Sequence, residues 1–172
     1  MNLSNPSESL ADIQIQSLTP DHQELLWDLL YLAVFVPPGT APPSRSILEL
    51  PELQVYARDW GNPHDVGFLA KDRTGTVLGG AWSRLITGEV KGFGYIDDNT
   101  PELAIAVLSE LRGQGIGTRL LTTLLGNLDR RHKKTCLSVD VVNPAVRLYK
   151  RMGFEKVKVS GQSMTMIRSR PT

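Results

Sequence analysis

Residues 110–121, ELRGQGIGTRLL, put glycines at 113, 115 and 117 and then run into leucines at helical spacing. Glycine costs a helix about 1 kcal/mol relative to alanine, so three of them where a helix begins require a reason. The apolar stretch PELAIAVLSEL stands before them. After them Ile116, Leu120, Leu124 and Leu128 recur at every fourth position, with Leu121 and Leu125 widening the stripe. The segment reads as buried strand, glycine turn and long helix over GIGTRLLTTLLGNLDRRHKK. Such a junction presents unpaired N–H groups at the positive end of a helix dipole, and the missing side chains let anionic oxygens reach them. A tight turn alone needs one glycine at positive φ. Three in alternation point further, to an anionic ligand held by the backbone, with Arg112 and Arg119 supplying charge at the rim.

Two well-known phosphate cradles do not fit these residues. A dinucleotide fingerprint needs G-x-G-x-x-G, whereas position 118 is threonine and Asp140 would have to take a ribose hydroxyl alone. A P-loop needs lysine and a hydroxyl directly after its last glycine, which Thr118-Arg119 does not supply.

The rest of the chain sets the scaffold. ADIQIQSL alternates like an edge strand, and Thr19-Pro20 opens a helix with Leu25, Leu26, Leu29, Leu30 and Ala33 on one face. VPPGTAPPSR forces a long loop, and PELQVYARDW predicts a short helix from Pro51. Two strands flank KDRTG as a hairpin, and TGEVKGFGYIDDNT is a glycine-rich, acidic connection. Then come KTCLSVDVV as a strand, NPAVRLYKRMG as a helix stopped by Gly153, and a terminal strand pair around Ser160-Gly161. The order β-α-α-β-β-β-α-β-α-β-β predicts a mixed α/β domain with a mostly antiparallel front half.

Composition removes several function classes. A net charge of +1 over 172 residues argues against a dominant nucleic-acid or membrane surface. His22, His64 and His132 lack metal-ligand spacing, so no metal is expected. The one cysteine, Cys136, lies mid-strand and reads as buried and inert. Residues 1–10 read as a loose polar tail with no signal-peptide pattern, and a cytoplasmic setting is the expectation.

VLSELRGQGIGTRLL resembles the R/Q-x-x-G-x-G segment of the GNAT N-acetyltransferase family. LSVDVVNPAVRLYKRMGFEKV resembles that family's second segment, N-x-x-A/R-x-x-L-Y-x-x-x-G-F, in the expected order and separation. The resemblance covers residues 102–159 and implies one GNAT-like domain over 11–172. Its fold would be a mixed, mostly antiparallel sheet flanked by helices, with central parallel strands that splay to admit coenzyme A. It further implies acetyl-CoA as co-substrate, with Arg112, Gly113, Gln114, Gly115, Ile116, Gly117 and Thr118 around the pyrophosphate. Val107 would offer backbone groups to pantetheine and the acetyl carbonyl, and Asn143 would approach pantetheine. As a residue before Pro144, Asn143 is equally a helix cap.

Transfer of an acetyl group from a thioester to an amine needs a base for the amine and an acid for the departing thiolate. Tyr149 stands where the family places its acid. The same tyrosine shares a helix face with Ala145, Leu148 and Met152 and equally reads as packing. Glu102 is the candidate base, with Asp97 and Asp98 beside it drawing in a cationic amine, against the plainer reading of a solvated loop end. Trp82 and Tyr95 are candidates for a pocket wall or for the core. The expected activity is direct N-acetylation of an amine on a small molecule or peptide; the alternative is an acyl-CoA-binding regulatory module without catalysis. Residues 20–60 and 87–101 would build the acceptor side, with the loop 36–43 at its entrance. A homodimer is compatible with the sequence.

Overall fold

The structure is a computed structural model and describes residues 12–172, so the tail expected over 1–10 lies outside it. In chain order it contains β1 (Gln14–Ser17), α1 (Gln23–Ala33), α2 (Pro51–Gln54), β2 (Val66–Lys71), β3 (Val77–Arg84) and β4 (Glu102–Val107). There follow α3 (Ile116–Leu128), β5 (Lys134–Asp140), α4 (Val146–Arg151), β6 (Glu155–Ser160) and β7 (Ser163–Ser169). The strands form one sheet in the order β1-β2-β3-β4-β5-β7-β6. All neighbours are antiparallel except β4 and β5. That parallel pair meets at one register position, Glu102 opposite Cys136, where Cys136 N–H donates to Pro101 O at 2.9 Å. Beyond this point the two strands diverge toward their C-terminal ends. The expected mixed sheet with splayed parallel strands is therefore what the chain forms.

Each face of the sheet carries a core. The period of two along β4 sends Leu103, Ile105 and Val107 toward the leucine stripe of α3, together with Leu137, Tyr149 and Phe154. It sends Ala104 and Ala106 the other way, toward Leu26, Leu29 and Leu30 of α1 and toward Tyr56 and Trp82. Gly80 explains how α1 comes so near: a Cβ there would stand 2.8 Å from Leu29 Cδ1.

Two helices are shorter than the sequence suggests. α3 stops at Leu128, where the apolar stripe ends, and the charged run that follows turns back, with Arg131 and His132 N–H groups donating to Leu128 O. Asp129 is then free to pair bidentately with Arg168 of β7 at 2.7 and 3.0 Å. α2 ends at Gln54 rather than Trp60 because Arg84, buried at the end of β3, draws the next segment down. Its guanidinium donates to Val55, Arg58 and Asp59 carbonyls and pairs with Asp65 at 2.7 Å.

Candidate active site

The glycine turn sits at the mouth of the splay, directly beyond β4. Its three glycines serve three local needs. Gly113 and Gly115 adopt φ +75 and +88, where a side chain is strained, and nothing stands within 4 Å of an added Cβ. Gly117 is helical and close-packed, its Cβ position lying 3.3 Å from Leu148 Cδ2 and 3.7 Å from Ile105 Cδ1. Two positive-φ positions and one close contact thus account for the alternation in backbone terms. What points to an anion is what the turn leaves over. Among the described residues the N–H groups of 113–118 have no acceptor; the helix ladder begins with Arg119 N–H on Gly115 O at 3.1 Å. Residues 113–118 therefore present a run of free donors at the positive end of a helix of 13 residues, with open space beside Gly113 and Gly115.

The arginines behave differently from expectation. Arg119 is not at the rim: its guanidinium donates to Ile13 O at 2.8 Å, tying α3 to the chain before β1. Arg112 folds back so that its Nε donates to Val107 O at 3.1 Å. The Val107 carbonyl thus already accepts one hydrogen bond within the chain. Leu108 N–H pairs with Leu78 O at 2.9 Å, so antiparallel alternation turns Val107 N–H away from β3 and into the splay. That N–H remains for a ligand.

Tyr149 and Glu102 approach the splay from opposite faces. Tyr149 belongs to the α3 side, packed edge-to-face on Phe154 at 6.1 Å, and its hydroxyl makes no hydrogen bond among the described residues. Burial pushes its phenol well above the usual range, so it holds its proton at neutral pH. Asn143 is a cap: its Oδ1 accepts from Ala145 N–H at 2.9 Å ahead of α4. Its backbone carbonyl accepts from Val146.

Glu102 belongs to the α1 side and is 3% exposed, so it is not a solvated loop end. Its Oε1 accepts from the Tyr56 hydroxyl and from Gly94 N–H at 2.7 Å, while Oε2 has no partner among the described residues. Burial raises its carboxyl above the ordinary value, an effect that the Tyr56 and Gly94 hydrogen bonds oppose. The three carboxylates that are neighbours in sequence do not act together. Asp98 is exposed and held by Tyr95 and Lys91, and Asp97 caps the turn through Asn99 N–H. Asp97 lines a separate cleft of about 440 Å3 with His64, His132 and Lys134. Tyr95 is neither wall nor core but half of this surface clamp, with Lys91 Nζ 4.3 Å from its ring. Trp82 is core, donating to Tyr56 O at 3.0 Å. Cys136 is buried and its thiol is pushed far up.

Tyr56, Gly92 and Gly94 escaped the sequence reading. Their signal was two glycines bracketing a phenylalanine in KGFGY, but the partner tyrosine lies 46 residues from Glu102. On the α1 side a cleft of about 350 Å3, lined by Leu25, Tyr31, Arg45 and Leu108, opens beside the end of β4. Tyr31 OH donates to Pro43 O at 2.7 Å and pins the proline-rich loop at its border. Among the described residues no group of acidic, histidine or cysteine side chains is arranged to hold a metal, and no helix is long and apolar enough to cross a membrane.

The model of the acetyltransferase (GNAT) family matches residues 26–154. A mycothiol acetyltransferase of Streptomyces griseus is 27% identical over 144 residues, covering 83% of this chain and 43% of that protein. An N-alpha-acetyltransferase of Sulfurisphaera tokodaii is 32% identical over 101 residues, 56% of this chain and 60% of the relative. The chain thus spans less than two thirds of either relative. A PaiA N-acetyltransferase of Thermoplasma acidophilum, solved with coenzyme A, superposes with TM-score 0.65 at 16% identity, over 92% of this chain and 99% of that one. At that identity the likeness speaks for the fold.

Proposed function

This chain belongs to the GNAT acetyltransferase family, and on that premise we propose that it transfers the acetyl group of acetyl-CoA directly to an amine of a small molecule or peptide. One observation carries the reading: β4 and β5 part after a single register pair, and the unpaired N–H groups of 113–118 stand at the end of the opening. The splay suits pantetheine, with Val107 N–H toward it, and residues 112–118 suit its pyrophosphate.

In the transfer, the amine nitrogen bonds to the thioester carbonyl carbon and the carbon–sulfur bond breaks. The nitrogen's proton goes to Glu102, and Tyr149 donates toward the departing sulfur. A phenol is a weaker acid than a thiol in water. Burial favours the protonated form of an enclosed thiolate, and Tyr149, itself held protonated by burial, is the donor beside it. Acid and base on opposite faces of the sheet leave the reacting carbonyl between them.

The test is CoA release, followed with a thiol reagent, from acetyl-CoA and a panel of spermidine, aminoglycosides and peptides with free N-termini. Release with any of these supports the reading. Binding of acetyl-CoA without release across the panel would instead make the chain an acyl-CoA-binding module.

A further inference from the structure

In a chain of net charge +1, residues 130–134 read RRHKK, a histidine between two pairs of cations. Had α3 continued, these side chains would have been spread around a helix. Instead α3 stops at Leu128, the Arg131 and His132 N–H groups return to Leu128 O, and the run wraps round the helix end. There it faces two other segments, His64 ahead of β2 and residues 97–100 ahead of β4. Together they line the cleft of about 440 Å3, with Leu85 as its one apolar side chain. That volume falls within the range of about 300–1,000 Å3 typical of small-molecule sites.

Three cations, Arg131, Lys133 and Lys134, share this cleft with one carboxylate, Asp97. No ion pair among the described residues includes any of the three. Asp97 is already committed: its Oδ1 accepts from Asn99 N–H at 2.9 Å, and that bond, with Thr100 and Lys134, holds its carboxyl below the usual range. Arg131 Nη1 lies 3.4 Å from Pro63 O, which brings the guanidinium to the His64 side. The His132 and His64 rings meet edge-on at 6.3 Å, and His132 Nε2 is buried with no partner among the described residues. A helix C-terminus attracts cations, which accounts for basic residues in its last turn. It does not account for Lys133 and Lys134, which lie past that turn at the start of β5 and still line the cleft. Polar walls from two distant segments turn the run into a concavity, where a field of one sign is concentrated.

We propose that this cleft binds a small, multiply charged anion through phosphate or carboxylate oxygens, with Arg131, Lys133 and Lys134 as the charged donors. It is a different place from the glycine turn. The cleft adjoins the N-terminal ends of the parallel strands β4 and β5, and the turn lies past the C-terminal end of β4. At about 3.3 Å per residue, the six residues of β4 put roughly 20 Å between them. An anion held there joins residues 97–100 to 131–134 and braces the one β4–β5 register pair, Glu102 with Cys136. The proposal stands independently of the acetyl-transfer reading.

The test titrates the full chain with inorganic phosphate and with citrate at fixed ionic strength, by calorimetry and by the histidine ring signals in NMR. One or both anions should bind at one equivalent and move the His64 and His132 signals, and CoA should not displace them. Arg131→Gln combined with Lys134→Gln should weaken binding by about tenfold or more, the worth of a single hydrogen bond to a charged group. Lys156→Gln combined with Lys158→Gln removes the same charge from β6 and should leave binding unchanged. All four side chains are exposed, so both variants should fold.

Failure of both anions to bind overturns the proposal. Equal weakening by the two variant pairs does so as well, because the effect would then be one of net charge. Displacement by CoA would assign the anion to residues 113–118 instead. Binding of a single-stranded oligonucleotide but of neither small anion would make the run a polyanion surface and overturn the small-molecule site.

Discussion

The burial of the Glu102 carboxyl makes its protonation state measurable without any substrate. Burial raises its carboxyl above 4.5, its ordinary value. Between 4.5 and the raised value the folded protein keeps a proton that the unfolded chain has released, so stability falls as pH rises through that window. Glu102→Gln removes the titration, so the stability difference between variant and wild type should move in the variant's favour as pH rises through that window, and level off above it, in urea titrations. A difference independent of pH would mean that the carboxyl is not raised. Tyr149 offers the complementary case. Its hydroxyl has no partner among the described residues while its ring packs on Phe154, so Tyr149→Phe should leave Tm near wild type and lower kcat by about 10²–10⁴-fold. Full kcat in steady-state assays would return Tyr149 to packing.

At the scale of elements, the glycines of the turn and its helix separate backbone demands from ligand demands. Gly126 lies inside α3 with nothing within 4 Å of an added Cβ and no positive φ, so Gly126→Ala should stabilise the fold by about 0.5–1 kcal/mol in denaturant titrations. Gly115→Ala should do the opposite by a similar amount, because φ is +88 there. Much of this architecture was legible in the sequence: the leucine stripe announced α3, Thr19-Pro20 announced the 3-10 turn that leads into α1 at Gln23, and the order of strands and helices followed from changes of period. The ends of α2 and α3 were not, because Arg84 and Arg168 reach them from strands distant in sequence. The candidate site was legible only where it is local. The run 112–118 and Asn143 are contiguous signals. Tyr56 with Glu102 is a tertiary pairing across 46 residues, and the commitment of Arg119 to Ile13 spans 106. Neither leaves a periodic trace. The acidic stretch IDDNTPE misled for the same reason, since chain neighbours Asp98 and Glu102 face surface and core respectively.

Over the whole molecule, the two halves of the sheet are joined unequally on its two faces. On the α3 side a continuous core runs from Ile13, Ala70 and Leu78 to Val139, Met164 and Met166, so α3 binds both halves. On the α1 side every member of the core lies at or before Ala106, and none comes from β5, β6 or β7. There the halves meet through residues 92–94, where Gly94 lies against the Leu137 backbone, and through the one β4–β5 register pair. A ligand threading the splay would therefore act as a missing strand, bridging backbone groups that β4 and β5 leave apart. Acetyl-CoA at 100 times its Kd should stabilise the folded chain by about 2.7 kcal/mol. At about 2–4 °C per kcal/mol for a domain of this size, that corresponds to a rise in Tm of roughly 5–11 °C. The same binding should slow amide exchange at Ile105 and Val107 and across residues 113–118, the groups that face the opening or lack acceptors without it. β6, an exposed edge carrying Lys156 and Lys158 beside a bulge, should exchange at the same rate with and without ligand. A Tm shift accompanied by protection elsewhere, with residues 105, 107 and 113–118 unchanged, would place the ligand outside the splay and separate the cofactor from the reaction geometry argued for Tyr149 and Glu102.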